Sequence, residues 1–148
     1  MATKAASMLS GDNPADELVE YGNSTQVSDN AKAHEFFAVL LMAAPYAHML
    51  HLQTRSYAEH MALGTLYESL PDLTDGLIES YQGKYGLVTN YPKPALPDLD
   101  NPVRMVVGLN KYVEESRADV SDDSEIQNQI DEIVTLLNTT TYKLKYLA

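Results

Sequence analysis

The chain has 148 residues and no cysteine, which suits one domain with a real core and excludes disulfides, zinc–thiolate sites and thiol nucleophiles. Its formal net charge of -11 gives a surface that phosphate backbones repel, so no direct DNA binding is expected. The N-terminal segment has no apolar run of signal-peptide length, and no later segment approaches a membrane span. We therefore expect a protein that is neither secreted nor held in a membrane.

Residues 1–29 form a segment rich in Gly, Ser, Asn, Asp and Ala with little periodicity. This composition predicts an N-terminal arm that is flexible alone or becomes ordered in the groove of a neighbouring subunit. The helical patterns that follow predict a bundle over residues 30–148.

The first predicted helix starts at Asp29 or Asn30, either of which can be its N-cap, and runs to about Thr54. Pro45 lies inside it and predicts a kink, because proline removes one backbone hydrogen bond. Alternating steps of four and three residues predict the inward face: Phe37, Leu41, Ala44, His48 and His51.

The second predicted helix runs from about Tyr57 to Tyr81 and is bent at Pro71. Gly83 or Gly86 is expected to stop it, since glycine adopts the left-handed conformation found after helices. Its inward face is predicted to contain His60, Leu63, Tyr67, Leu70, Thr74, Leu77, Ile78 and Tyr81.

A connection between Gly86 and Asn101 contains three prolines, which favour an extended path. About fifteen extended residues span on the order of 45 Å, enough to return the chain along a whole helix. Helices two and three are therefore expected to run in the same direction, as in ferritin-like bundles with one long crossover.

The third predicted helix has Asn101 as its cap and Pro102 at its first position, and ends near Arg117. Its predicted inward residues are Val103, Val106, Val107, Asn110 and Val113. The fourth begins near SDDSE, and its predicted inward residues are Ile126, Ile130, Ile133, Leu137, Thr140, Leu144 and Leu147. Together the four patterns predict an all-α four-helix bundle.

Three histidines frame the segment HMLHLQTRSYAEH, and helical geometry predicts that His48, His51 and His60 meet at one end of the bundle. Imidazoles near a carboxylate suit zinc, iron or manganese. Alternatively, each histidine is a packed core or hinge residue that donates a hydrogen bond to a backbone carbonyl. Both interpretations remain open from the residues alone.

One flank of the second helix is acidic: Gly64, Asp75, Glu68 and Glu79 lie progressively to one side of His60. A flank of this kind is either a solvated face or one half of a site that another subunit completes. Charge alone favours the solvated face.

The order of His48, His60, Asp75 and Glu79 resembles the ligand frame of the Dps miniferritin family, with Gly64 where that family has a carboxylate. In a second register His51 takes the place of the first histidine. The resemblance implies a ferritin-like bundle that binds iron or another divalent metal between subunits. Its implied ligands are His48 or His51 with His60 from one subunit, and Asp75 and Glu79 from the other.

The phrases QTRSYAEHMALGTLYESL, ESYQGKYG and IQNQIDEIVTLLNTTTYKLKYL resemble small helical proteins of tailed bacteriophages, some of which are labelled Dps-like. This resemblance implies a location in the infected host's cytoplasm or in the virion, with copies of itself or other phage proteins as partners. It leaves two functions open. One is a metal-binding, ferritin-like protein whose ferroxidase-like activity Gly64 weakens; the other is a non-enzymatic virion structural or host-interaction protein that uses the bundle as a scaffold and the arm for assembly.

Overall fold

The computed structural model describes residues 27–95 and 100–148, with side chains from residue 31 onward. Within these ranges the regular secondary structure is entirely helical, and no strand is present. Four α-helices, α1 to α4, and one short 3-10 helix are present: α1 Val27–Gln53, α2 Tyr57–Tyr85, α3 Pro102–Ser116, the 3-10 helix Arg117–Asp119, and α4 Ser124–Tyr146. The greater part of the predicted arm lies outside the described residues, although α1 begins two residues before Asp29.

The helix ends follow local capping chemistry. The Ser56 hydroxyl accepts a hydrogen bond from the Glu59 backbone N–H at the start of α2, and Asn101 Oδ1 accepts one from Arg104 N–H at 2.9 Å at the start of α3. α2 continues four residues beyond the predicted Tyr81 and ends at Gly86, whose φ of 93° is accessible to glycine without steric cost. Residues 54–56 join α1 to α2 and are called the hinge below.

Two ion pairs show the directions of the helices. Lys32 near the start of α1 contacts Asp119 just after α3 at 2.8 Å, and Lys84 near the end of α2 contacts Asp123 just before α4 at 2.6 Å. The hinge and the start of α3 share the opposite end, where residues of both line one cleft. Consequently α2 and α3 run in the same direction, as the Pro-rich crossover predicts.

The four helices pack as a ring in which α1 contacts α2, α2 contacts α4, α4 contacts α3, and α3 contacts α1 less extensively. Their inward faces form one apolar core that includes Phe37 of α1, Leu70 of α2, Val106 of α3 and Ile133 of α4. The predicted apolar stripe of α2 is buried or half-buried throughout, and that of α4 is buried except for Leu147, which is 56% exposed. In α3 the buried Met105 and Leu109 were missed, whereas Val107 is exposed.

The predicted inward face of α1 is confirmed in part: Phe37 and Ala44 are buried as predicted, and the other three residues are not. Leu41 and His48 are exposed, and His51 is half-buried. The residues that enter the core on this side are Leu40, Ala43, Ala47 and Leu50. The physical reason is that α1 is apolar on nearly every side, so hydrophobic periodicity does not select one face.

α1 also corrects the expectation that no segment approaches a membrane span. Residues 31–53 are long and apolar enough to cross a membrane, judged by length and composition. Half of the apolar window is buried against the rest of the protein, and buried core helices of soluble proteins meet the same criterion.

Candidate functional site

The hinge is held by short-range hydrogen bonds that fix how α2 leaves α1. The Thr54 hydroxyl donates to the Glu59 carboxylate and accepts a hydrogen bond from Ser56 N–H at 3.1 Å. The Ser56 hydroxyl in turn accepts from Glu59 N–H at 3.3 Å. This arrangement places the last turn of α1 beside the first turn of α2.

His51 and His60 form a reciprocal pair across the hinge, which we call the histidine clasp. His51 Nδ1 lies 2.7 Å from the His60 carbonyl oxygen, and His60 Nδ1 lies 3.1 Å from the His51 carbonyl oxygen. Their rings stack with centroids 3.6 Å apart and planes inclined by 24°. Because a carbonyl oxygen only accepts, each Nδ1 carries the proton, and in the neutral rings each Nε2 keeps a lone pair.

His48 lies beside the clasp and packs against the ring of Tyr67. Its ring stacks on Tyr67 with centroids 4.1 Å apart and an angle of 15°, and its centroid is 5.9 Å from that of His51. Burial, and secondarily the negative charge of Glu68, raise the pKa of Tyr67. The three predicted histidines therefore do meet at one end of the molecule. Tyr67, which the sequence placed only on an apolar stripe, contacts the rings of His48 and His51.

Gly64 makes room for the clasp. A Cβ atom added at this position would lie 3.4 Å from His51 Cε1 and 3.5 Å from His51 Nδ1, at ordinary contact distance. A longer side chain at residue 64 would have to displace the imidazole or point away from it. The space beside residue 64 is thus occupied by the ring of His51.

Asp75 and Glu79 are not brought to the histidines within one chain. Both are exposed on α2, and Asp75 lies fifteen residues beyond His60, which corresponds to about 22 Å along a helix. In the part of the chain that the structure describes, no group of three or more His, Asp or Glu side chains is arranged to hold a metal ion. A site that joins these carboxylates to the clasp requires a second subunit.

A polar cluster at the opposite end of the molecule was not anticipated. Tyr85 donates a hydrogen bond to Asp123 and lies 3.0 Å from the Ser121 hydroxyl, while Lys84 contacts both Asp123 and Glu125. Hydrogen bonds from Lys84, Tyr85 and Ser121 lower the pKa of Asp123 to about 2, and the same carboxylates raise the pKa of Lys84. The sequence places Tyr85 at the end of a helix but gives no sign of a partner 38 residues away.

Comparisons with known proteins give bacteriophage relatives. The model of a family of unknown function, DUF5856, matches residues 51–144. An uncharacterized 14.6 kDa protein in the mobD-ri intergenic region of Enterobacteria phage T4 is 30% identical over 131 residues, which cover 87% of this chain and 97% of that protein. No solved structure matches the chain. The phage resemblance is confirmed, and no ferritin or Dps family is among these matches.

Proposed function

Because this chain belongs to the family of unknown function DUF5856 and is related to a protein of phage T4, we propose that it is a non-enzymatic phage protein that assembles with copies of itself. The proposed scaffold is a ferritin-like four-helix bundle. The ring of helix contacts and the crossover joining the parallel, diagonal helices α2 and α3 support that topology.

The observation that carries the proposal is the outer strip of α1, which consists of Leu41, Pro45, Met49 and Leu52. All four residues are exposed, and Leu52 is 69% exposed. Residues 36–54 contain no Asp, Glu, Lys or Arg, although the whole protein is strongly acidic. A helix that is apolar on all sides is normally covered on all sides, so the outer strip needs a partner.

The same apolar face continues onto the first turns of α2. Tyr57 is 77% exposed and Met61 is 52% exposed. Together with the outer strip they present several hundred Å², a substantial part of the roughly 800 Å² that each partner contributes to a standard interface. Since a two-fold axis pairs one patch with itself, a single apolar face is sufficient for a homodimer.

Charge supports an antiparallel pairing of two copies. The outward side of α2 beyond the apolar turns is acidic, with Glu68, Asp75 and Glu79 exposed toward its far end. The hinge end instead carries the exposed Arg55 and His48. An antiparallel dimer whose two-fold axis passes through the apolar face directs each hinge end toward the partner's acidic segment, whereas a parallel dimer would bring like charges together.

Divalent-metal binding at this interface is the second candidate function. In metal-ligating histidines one ring nitrogen commonly donates to a backbone carbonyl while the other binds the metal, and His51 and His60 have this Nδ1 arrangement. In an antiparallel dimer, Asp75 and Glu79 of the second copy would approach the clasp. Iron or a similar divalent ion suits such a nitrogen and oxygen ligand set, and Gly64 leaves binding rather than ferroxidase turnover as the expected activity.

Native mass spectrometry with and without ferrous iron tests both candidates. We expect a dimer or a multiple of dimers for the unchanged protein and a monomer for the double variant Met49→Glu/Leu52→Glu. The double variant Asn128→Glu/Thr135→Glu adds the same charge on the exposed side of α4 and should leave the assembly intact. A wild-type protein that stays monomeric at tens of micromolar would overturn the proposal.

The iron arm of the experiment addresses the second candidate separately. We expect integer iron binding per dimer that is lost in His51→Ala/His60→Ala and retained in His34→Ala, whose histidine lies more than three turns away on α1. Iron binding that survives removal of the clasp, or no binding by a dimer, would exclude the metal site while leaving the assembly proposal standing.

A further inference from the structure

A cavity of about 260 Å³ lies between α1 and α3, the neighbouring helices that pack least extensively. It is open to solvent on one side, and most of its lining is apolar. α1 contributes Val39, Met42 and Ala43, while α3 contributes Met105 and Leu109.

The cavity is a half-open cleft with room for a small apolar ligand. An apolar cavity of about 150 Å³ is already enough to hold benzene. Gly108 in the middle of α3 contributes to the space, since a Cβ atom added there meets nothing within 4 Å. Glycine within a helix is about 1 kcal/mol less favourable than alanine. Helix propensity alone therefore does not account for the glycine at this position.

Arg104 supplies a positive charge at the cavity, one turn before Gly108 on α3. Its guanidinium pairs with Asp100 at 3.7 Å, and both side chains are about two-thirds exposed. A long, exposed pair of this kind is worth little, so Arg104 is able to exchange Asp100 for another anion. The apolar lining beside a single cation defines a site with an apolar compartment and an anionic subsite.

We propose that this cavity binds a small amphiphile with an apolar chain and one anionic head group, of the class of medium-chain carboxylates. The chain lies between Met42 and Met105, and the head group reaches Arg104 at the open side. The site does not depend on self-association through the outer strip of α1.

Methionine-methyl NMR with decanoate as the probe tests the location of the site in the full-length protein. We expect saturable shifts of the methyl signals of the buried Met105 and of Met42, which lines the cavity and is 38% exposed, whereas Met49 and Met61 near the hinge should remain unchanged. Shifts confined to Met49 and Met61 would show adsorption on the exposed apolar face and overturn the proposal. The absence of any saturable shift below the micelle concentration would overturn it too.

Two variants with matched controls test the compartment and the subsite. Gly108→Leu should fill the cavity and abolish decanoate binding while the protein stays folded, whereas Gly76→Leu, at a similarly open helical glycine outside the cavity, should bind normally. Arg104→Gln should weaken decanoate binding about tenfold and leave decanol binding unchanged, because only the charged head group uses the guanidinium. Lys111→Gln on the same helix should change neither.

Equal losses for decanoate and decanol in Arg104→Gln would refute the anionic subsite. Normal decanoate binding by Gly108→Leu would refute the cavity as the site.

Discussion

His51 and His60 donate their Nδ1–H groups to each other's backbone carbonyl oxygens, at 2.7 and 3.1 Å, so one pair of residues closes the hinge twice. The stacked rings add a direct contact at 3.6 Å between centroids. The backbone acceptors remain when a histidine is replaced, so the hydrogen bonds and the ring contact can be separated by mutation.

The histidine clasp should show energetic coupling in a double-mutant cycle. His51→Ala and His60→Ala are each expected to lower the free energy of unfolding by about 1–3 kcal/mol, because each removes one hydrogen bond and the shared ring contact. The double variant should lose less than the sum, by about 0.5–1.5 kcal/mol, since the ring contact is lost only once. Urea unfolding measures the three values. A cycle of His34→Ala with His60→Ala should be additive, and additivity in the clasp itself would contradict direct contact.

The effect of a substitution at Gly64 on stability should depend on the size of the new side chain. Gly64→Ala is expected to stabilise the protein by up to about 1 kcal/mol, because helix propensity improves and the new Cβ only touches the His51 ring. Gly64→Asp should destabilise it by more than about 1 kcal/mol, since its carboxylate extends toward that ring in the buried space. Thermal unfolding compares these with Gly76→Ala and Gly76→Asp, where the surroundings are open. Equal effects of aspartate at both glycines would show that His51 does not confine residue 64.

Acid stability should depend on Asp123. Its folded-state pKa of about 2 lies below the ordinary value of 3.8, so its stabilising contribution is present above about pH 4 and is lost as the pH falls toward 2. Asp123→Asn should therefore be less stable than wild type at neutral pH, and the two melting temperatures should converge near pH 2. Asp122→Asn, at the exposed neighbour, should follow the wild-type curve. A constant difference between Asp123→Asn and wild type from pH 5 to pH 2 would argue against the contacts with Lys84 and Tyr85.

The proposed antiparallel dimer should respond to charge exchange. Arg55→Glu and Asp75→Lys/Glu79→Lys are each expected to weaken dimerisation about tenfold at low salt, because each brings like charges together across the interface. Combining all three changes should recover most of the affinity. Sedimentation velocity over a range of concentrations gives the dissociation constants. Failure of the combined variant to recover would show that these charges do not face one another.

The helical pattern was sufficient to predict much of the fold. The caps Asn101, Asp123 and Gly86 lie at or near the predicted helix boundaries. The apolar stripe of α4 from Ile126 to Leu144 is buried as predicted. These features depend on residues within a few turns of each other, so they can be predicted from the sequence. The meeting of the three histidines followed from the same local geometry.

The candidate site was less predictable because its contacts join side chains of two different helices. The metal assignment for His48, His51, His60, Asp75 and Glu79 stays a prediction: the structure unites the histidines but leaves both carboxylates far along α2. A hydrogen bond from a histidine to a backbone carbonyl was one of the two interpretations of these residues, and it is present at His51 and His60. Their spacing did not indicate that each ring would bind the other's carbonyl. Tyr67 and Gly64 complete this arrangement through shape alone.

Local patterns were enough to predict the four helices, the inward faces of α2 and α4, and the common direction of α2 and α3, because periodicity and proline chemistry act over short distances. Which side of α1 is buried depends on the packing of the whole fold, since that helix is apolar on nearly every side and its orientation depends on the area that α2 and α3 can cover. The same packing left Leu41, Met49 and Leu52 outside and brought Asp123 to Tyr85. These contacts depend on how surfaces distant in the sequence pack together, and a local sequence pattern does not predict that packing.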